Sequence, residues 1–207
     1  MPYVIRPRKL RNMAAGLLCA AALVAALPSG AAAASTSACA SGSTSTPFAA
    51  LGDSALYTLL TGAGFESSAS GWTLSDAEAI GAGATAESAP SGHALAIEPG
   101  GSALSPQFCI DVEEPSFRFY VRQSGDGDRG SSLGVFIVWS DVYGFRHYTP
   151  VASVTGSSTW APTPVLPLAT KLPLWMPGAT LNAQLQFKAE GPASWAIDDV
   201  YIDPHSR

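Results

Sequence analysis

The chain is poor in the residues on which most enzymes and metal sites depend. Its 207 residues include three histidines and three cysteines, and charged residues make up 13% of them. His93, His147 and His205 do not have the spacing of zinc ligands. Glu113-Glu114 and Asp198-Asp199 are adjacent pairs, and neighbouring residues of a strand point to opposite faces. Neither pair alone therefore supplies the two facing carboxylates of a glycoside hydrolase.

Stretches free of glycine and proline are also short, which excludes long helices. Beyond residue 34 the longest of them is 179–190, and it alternates instead of following a helical period. Its apolar residues fall on one face and its polar residues on the other: Leu181, Ala183, Leu185 and Phe187 against Asn182, Gln184, Gln186 and Lys188. This period of two predicts a half-buried strand.

Further short strands are predicted along the chain. They are expected at 94–98, 107–112, 116–122, 133–140, 146–154 and 194–203. Seven or more short strands with turn residues between them are typical of sandwiches and jelly rolls. The predicted fold class is all-β, with a β-sandwich or jelly roll of two antiparallel sheets.

Acidic residues are absent from the first 34 positions, where a different pattern is found. Four basic residues, Arg6, Arg8, Lys9 and Arg11, precede an uncharged apolar run over 13–27, and small residues continue to Ala34. This order predicts a secretory signal peptide over 1–34 and a secreted, extracellular protein. The apolar run of about 15 residues is shorter than the roughly 20 that a spanning helix needs, so no transmembrane segment is expected in the mature chain.

The mature chain is predicted to have a short linker and one domain. Residues 35–46 are rich in Ser, Thr and Ala and are expected to form a flexible linker, and 47–207 a single β-sandwich domain. Cys39 and Cys109 remain after signal removal, and we expect them to pair in an oxidising compartment.

The charge of the mature chain argues against one class of partner. All 16 acidic residues but only seven of the 11 basic residues follow residue 34, which gives a formal charge of −9. Such a chain repels phosphate backbones, so no nucleic-acid partner is expected.

Aromatic residues beside turns are the candidates for ligand binding. Tyr143 and Tyr148 flank a turn at Gly144, and Trp160 lies in a Thr-Trp-Ala-Pro loop. Secreted sandwiches often bind sugars by stacking them on exposed rings. Trp72 and Trp195 lie in strand-like segments and are expected in the core.

A hydrolase is a further possible function, ranked third after the two binding functions given below. Gly52-Asp53-Ser54 resembles the nucleophile block of GDSL-type esterases, whose serine is activated by the histidine of an Asp-x-x-His motif. Here the C-terminus reads Asp203-Pro204-His205, one residue short. The alternating helices of that family's fold are also missing. Acyl transfer needs nucleophile, base and oxyanion donors together, so this motif alone does not support an esterase.

Three segments carry a broader resemblance. They are Gly62-Ala63-Gly64-Phe65-Glu66 with Gly71-Trp72, then Ser91-Gly92-His93-Ala94-Leu95-Ala96-Ile97, and finally Trp195-Ala196-Ile197-Asp198-Asp199-Val200-Tyr201. Their order is similar to that of galactose-binding-like jelly rolls, which include several carbohydrate-binding modules. The mature chain as a whole looks like a family of uncharacterised secreted proteins of actinobacteria and relatives.

The resemblance implies a metal site and a function. In such modules the Gly-Phe-Glu carboxylate and an Asp of the closing strand hold a structural calcium, which would place Glu66 with Asp198 or Asp199 around one ion. It also implies a secreted, non-enzymatic module that binds an extracellular glycan. The alternative is an envelope-associated structural or interaction protein that presents its surface to another protein.

Overall fold

The structure is a computed structural model that describes residue 39 and residues 42–81, 92–112, 114–124, 130–174 and 179–203. All of these belong to one compact unit, Ser35–Arg207. The predicted signal peptide, much of the predicted linker and His205 lie outside the described residues. Within the described ranges, no helix is long and apolar enough to cross a bilayer.

The described residues fold into short antiparallel strands and two single-turn 3₁₀ helices, Ala49–Leu51 and Ala169–Lys171. The strands are β1 (Thr44–Ser45), β2 (Tyr57–Leu59), β3 (Thr73–Gly81), β4 (His93–Leu104), β5 (Phe108–Ile110), β6 (Ser116–Ser124), β7 (Ser132–Ser140), β8 (Arg146–Val154), β9 (Ala161–Pro162), β10 (Leu166–Pro167), β11 (Leu181–Glu190) and β12 (Ser194–Asp203). The all-β class is confirmed.

The strands form two layers. In the first sheet β12 lies between β6 and the start of β4, while β2 continues beside the end of β12 and carries β1. Strands β9 and β10 pair with the other edge of β6. In the second sheet, one edge of β11 pairs with β7, and its other edge pairs with the end of β4 and with β5. Strand β8 pairs with the far edge of β7.

Strands β3 and β4 belong to both layers. Ala77–Gly81 of β3 pairs with the start of β4 in the first sheet, and Thr73–Ser75 pairs with the end of β4 in the second. The register shifts between Ser75 and Ala77, and Asp76 between them has a φ of 46°. Such a bulge bends a strand, which lets one pair of strands join the two sheets.

The core lies between the sheets and follows from the alternation seen in the sequence. Ala183, Leu185 and Phe187 of β11 are fully or almost fully buried, and they face Phe117 and Phe119 of β6 in the same core cluster. Full burial of one such side chain contributes about 1.5–3 kcal/mol. Trp72 and Trp195 are buried as expected.

A second, smaller cluster covers the outer face of the first sheet. Its members are Phe48, Tyr57, Ala94, Tyr120, Trp160 and Ala196. Arg118 lies over the Phe48 ring at 4.3 Å and pairs with Asp53 at 2.8 Å. This face is therefore closed by the segments that carry Phe48 and Trp160, whereas the outer face of the second sheet carries polar side chains.

The segment at the N-terminus of the domain differs from the expected linker. Thr44–Ser45 forms β1 and pairs with Tyr57 and Thr58. The predicted disulfide is confirmed: Cys39 is bonded to Cys109 of β5, with the two Cα atoms 5.2 Å apart. The bond ties this segment to the second sheet.

Candidate functional site

The largest exposed apolar side chains gather where β7 turns into β8. Val142 is 93% exposed, Tyr143 82%, Phe145 68% and Tyr148, at the start of β8, 54%. Strand β7 ends at Ser140, and Gly144 takes a φ of 83°, a left-handed conformation that suits glycine. The turn residues 141–145 are called the aromatic tip below. Two residues singled out from the sequence lie in this region: Tyr143 in the aromatic tip and Tyr148 beside it on β8.

Asp141 holds the aromatic tip in one conformation. Its Oδ1 accepts hydrogen bonds from the backbone N–H groups of Tyr143 and Phe145, both at 2.9 Å. The Asp141 N–H donates to the Phe145 carbonyl, and the Gly144 N–H donates to the Asp141 carbonyl, each at 3.0 Å. The exposed rings are therefore presented on a closed, hydrogen-bonded turn.

His147 supports the same carboxylate from β8. Its Nε2 lies 2.9 Å from Asp141 Oδ2, and its ring stacks on Trp139 with centroids 4.3 Å apart. Trp139 in turn donates its indole N–H to Thr149 Oγ1 at 3.0 Å. The pKa of the Asp141 carboxyl is lowered, mainly by the hydrogen bond with His147. Burial raises this pKa, but less than the His147 hydrogen bond lowers it, and the hydrogen bonds from the Phe145 and Tyr143 amides lower it further.

A polar groove of about 640 Å³ adjoins the aromatic tip on the second sheet. Among the described residues it is lined by Gln107, Val138, Trp139, Ser140, Gly144, Arg146, Thr180, Leu181, Asn182 and Gln184. The strand register explains the floor: Val138 pairs with Gln184 on one side and Tyr148 on the other, and Ser140 pairs with Arg146. Alternation then places these side chains on one face.

Two hydrogen bonds connect the polar residues of the groove. Gln184 donates its Nε2 to the Ser105 carbonyl at 2.7 Å, and its Oε1 accepts from Arg146 Nη2 at 2.9 Å. The Arg146 guanidinium also lies 5.8 Å from the centre of the Tyr148 ring. Amide, guanidinium and aromatic groups thus meet beside an exposed ring, an arrangement suited to a polyhydroxylated ligand.

Trp160 is not part of this surface, contrary to the expectation from the sequence. It is 7% exposed in the smaller core cluster, with the Arg122 guanidinium 5.2 Å from its ring centre. Strand β9 begins directly after it and pairs with β6, which turns the indole toward the first sheet. A buried ring offers no face for stacking a sugar, so the structure does not support Trp160 as a ligand-binding residue.

The structure brings Glu66 near Asp199. Burial first, and then the negative charge of Glu66, raise the pKa of Asp199 to about 6. Asp199 is 4% exposed, has a φ of 49° and donates its backbone N–H to the Ala63 carbonyl at 2.9 Å. A Cβ added at Gly64 would lie 3.3 Å from Asp199 Oδ1. The Gly-Phe-Glu segment and the closing strand therefore meet at this carboxylate.

Asp198 is also buried, and its Oδ1 accepts the Asp199 N–H at 2.8 Å. Glu66 accepts the Gly92 N–H at 2.9 Å and lies 3.5 Å from His93 Nδ1. We also asked whether one carboxylate oxygen from each of Glu66, Asp198 and Asp199 lies within 4.8 Å of the other two. In the described part of the chain, these three residues do not meet that condition. Of the predicted calcium ligands, Glu66 of the Gly-Phe-Glu segment and Asp199 of β12 are therefore the two that act on each other electrostatically.

A second cluster of ligand-type side chains lies at the disulfide. Atoms of Cys39, Asp111 and Glu114 fall within 4.8 Å of one another beside a cavity of about 250 Å³. Cys39 is in the disulfide, so no thiolate is present, and Glu114 Oε2 accepts the Asp111 N–H at 2.6 Å. These groups stabilise the turn after β5.

The esterase-like motif has a structural role in the fold. The Asp53 carboxylate accepts from the Ala55 N–H, the Tyr57 hydroxyl and Arg118. Asp203 accepts from Ser116 Oγ at 3.3 Å inside the first sheet. The carboxylates of Asp53 and Asp203 are therefore both engaged in hydrogen bonds within the fold.

Solved structures with a similar fold include two from Paenibacillus barcinonensis Xyn10C. The CBM22-1 xylan-binding domain from Paenibacillus barcinonensis Xyn10C matches with a TM-score of 0.52 and 14% identity, covering 73% of this chain and 97% of that one. The CBM22-1-CBM22-2 tandem domain of the same protein matches with a TM-score of 0.53 and 14% identity, covering 82% of this chain and 49% of that one.

These similarities establish the jelly-roll fold, which the chain shares with carbohydrate-binding modules. No protein-family model and no curated protein matches the sequence. Jelly rolls are double-sheet β-sandwiches, the two-layered arrangement described above.

Proposed function

We propose that this protein is a secreted, non-catalytic module that binds an extracellular glycan on the outer face of its second sheet. The observation that carries the proposal is the rigid aromatic tip next to a polar groove. Sugars present C–H faces that pack on rings and hydroxyls that need donors and acceptors, and this surface offers both.

The ligand would lie along the groove with its ring faces against Tyr148, Tyr143 and Phe145. Asn182 and Ser140 would exchange hydrogen bonds with its hydroxyls. Because Asp141 already holds the tip in a closed turn, little ordering cost is incurred on binding. The similarity of the fold to a xylan-binding domain agrees with this class of ligand.

A glycan array followed by calorimetry tests the proposal. The mature wild-type chain should bind at least one glycan class, and Tyr148→Ala should weaken that binding about tenfold or more, the loss of roughly 1.4 kcal/mol. Leu56→Ala removes an exposed apolar side chain that does not line the groove, so it should bind as the wild type does. No binding to any glycan at high protein concentration would refute the proposal.

A protein partner is the second candidate, and Val142 is the observation that favours it. An aliphatic side chain that is 93% exposed adds little to sugar stacking, but it suits an apolar protein surface. Cell-envelope proteins would then be retained by the immobilised wild type and not by Val142→Asp, while glycan binding would be absent in both.

We also propose that Glu66 and Asp199 hold a calcium ion that joins the Gly-Phe-Glu segment to β12. Two neighbouring carboxylates, one of them buried, disfavour each other's charge, and a divalent cation would remove that repulsion. The ion would act on stability, because these residues do not line the groove.

Thermal unfolding with and without calcium tests this site. Calcium in the millimolar range should raise the Tm of the wild type by several degrees, since ligand binding to the folded state adds about 2.7 kcal/mol at 100 times Kd. Asp199→Asn and Glu66→Gln should lose the shift, and Glu78→Gln, an acid on β3 outside the pair, should keep it. Equal shifts in all four proteins would exclude the site.

A further inference from the structure

We propose that the groove selects glycans that carry a carboxylate, the uronic-acid class, and that Arg146 recognises this group. The inference rests on the proposed glycan binding and names the chemical class of its ligand. It is carried by the charge of the groove, by the hydrogen bonds that orient Arg146 and by the absence of an acidic partner for it within the described residues.

The groove carries positive charge in an acidic protein. The chain has 16 acidic and 11 basic residues, yet among the described residues that line the groove Arg146 is the charged one and no Asp or Glu takes part. Uncharged glycans need no fixed cation. A carboxylate in this position would supply the counter-charge that the protein itself does not.

Arg146 differs in this from Arg118 of the first sheet, which pairs with the Asp53 carboxylate at 2.8 Å. Arg122 has no ion pair among the described residues either, but its guanidinium lies over the buried Trp160 ring. In the described part of the chain Arg146 forms no ion pair, and its partner is the neutral amide of Gln184. An amide oxygen orients a guanidinium without cancelling its charge.

Gln184 is the positioning residue in this arrangement. Its Nε2 is fixed by the Ser105 carbonyl at 2.7 Å, which turns its Oε1 toward Arg146 Nη2 at 2.9 Å. A guanidinium has five N–H donors in a planar fork, so the donors not used by Gln184 can form the paired hydrogen bonds that a carboxylate accepts. Preorganisation of this kind lowers the entropy cost of binding.

Two acids on the elements that form or flank the groove, Asp141 and Glu190, are already engaged. The Asp141 carboxylate accepts two backbone N–H groups and lies against His147, and Glu190, farther along β11, accepts from Ser132 Oγ at 3.2 Å. The net negative charge of the chain acts at long range and is screened beyond about 8 Å at physiological salt. The contact of a carboxylate with Arg146 is shorter than this distance.

The test compares each uronic-acid polysaccharide with its carboxyl-reduced form, which has the same backbone and an alcohol in place of the acid. Polygalacturonate and a glucuronic-acid polymer serve as probes, with poly-glutamate as a polyanion without sugar. The wild type should bind the acidic form at least about tenfold more tightly than the reduced form, the strength of one charge-assisted contact. It should not bind poly-glutamate.

The variants separate recognition from folding. Arg146→Gln should bind both forms with equal affinity, and Arg146→Lys should keep part of the preference for the acidic form because it keeps charge without the fork. Gln184→Ala should lose most of the preference for the acidic form over the reduced form. Thermal unfolding of each variant shows whether the fold is retained.

The results distinguish failure of the carboxylate inference from failure of the proposed glycan binding. Equal binding of acidic and reduced forms by the wild type, or an unchanged preference in Arg146→Gln, would overturn the carboxylate inference and leave glycan binding in place. Binding of poly-glutamate with the same affinity would overturn it as well. An array on which no glycan binds would remove the proposed function and this inference with it.

Discussion

At the scale of single residues, one carboxylate organises the surface that we assign to ligand binding. Asp141 accepts the backbone N–H groups of Tyr143 and Phe145 and lies 2.9 Å from His147 Nε2. A short polar side chain that satisfies neighbouring backbone donors is typical of Asp at turns. The placement of the exposed rings thus depends on this carboxylate.

We predict that Asp141→Ala loosens the aromatic tip. The protection of the Tyr143 and Phe145 amides against hydrogen exchange should fall about tenfold or more, because both lose their acceptor. Asp141→Asn keeps one acceptor oxygen, so its amide protection should lie between that of the wild type and that of Asp141→Ala. If both variants protect these amides as well as the wild type does, Asp141 is not what holds the turn.

The same residue gives a pH dependence of defined sign. Since the pKa of Asp141 is lowered in the folded chain, its stabilising effect is present above the ordinary value of 3.8 and is lost as the pH falls through the lower folded value. Amide protection in the tip should therefore decrease as the pH falls below about 3.8. Asp141→Asn should show no such decrease.

At the scale of elements, β4 joins the two sheets and depends on one glycine. Around Gly101 the strand changes its partner from β12 to β11. A Cβ at this position would lie 2.5 Å from the Asp76 carbonyl oxygen and 2.9 Å from that of Glu98. Both contacts are with backbone atoms, one in the bulge of β3 and the other in β4 itself.

We therefore predict that Gly101→Ala destabilises the fold. Overpacking of this kind costs about 1–3 kcal/mol, which urea unfolding would register as a lower midpoint. Gly81→Ala is the matched control on β3, because a Cβ there meets nothing within 4 Å and no positive φ is involved. A midpoint for Gly101→Ala equal to that of the control would show that the crossing tolerates a side chain.

At the scale of the whole molecule, the Cys39–Cys109 bond closes a long segment of chain. The two cysteines are 70 residues apart, and the loop between them includes β1 to β4 and the start of β5. Loop-closure entropy assigns such a bond about 4 kcal/mol of stabilisation, because it restricts the unfolded chain.

The double variant Cys39→Ala/Cys109→Ala should thus be less stable by about 2–4 kcal/mol. Its glycan affinity at low temperature should equal that of the wild type, since neither cysteine lines the groove. Chemical unfolding of both proteins, with and without a reductant, measures the difference. A wild type that reductant does not destabilise would contradict the prediction.

Sequence alone predicted the strands whose side chains alternate or are continuously apolar. The predicted strands at 146–154 and 194–203 coincide with β8 and β12, and β7 and β11 were found within one or two residues. Strand β3 was missed, because Thr73–Gly81 is rich in Ala, Asp and Glu and is largely exposed at a sheet edge. The short strands β1, β2, β9 and β10 are held by their partners more than by their own sequence.

The candidate site could be predicted only in part. The exposure of Tyr143 and Tyr148 could be expected because a turn beside aromatic residues is a local signal, and their role in ligand binding stays a prediction. Trp160 was misjudged because a loop in the sequence does not reveal that the first sheet lies beneath it. Arg146, Gln184 and Ser105 were not singled out, since they belong to three segments that come together only when β8, β7 and β11 pair and β4 ends beside them.

The all-β fold class and the pairing of Cys39 with Cys109 were determined by the sequence itself, because side-chain alternation and the presence of two cysteines after residue 34 are properties of the residues. Only the tertiary structure decided which face is open. The smaller core cluster closes the outer face of the first sheet, and the register of the second sheet brings Arg146, Gln184 and Tyr148 onto one surface. The physical reason is that both depend on contacts between residues far apart in the chain, which no local pattern encodes.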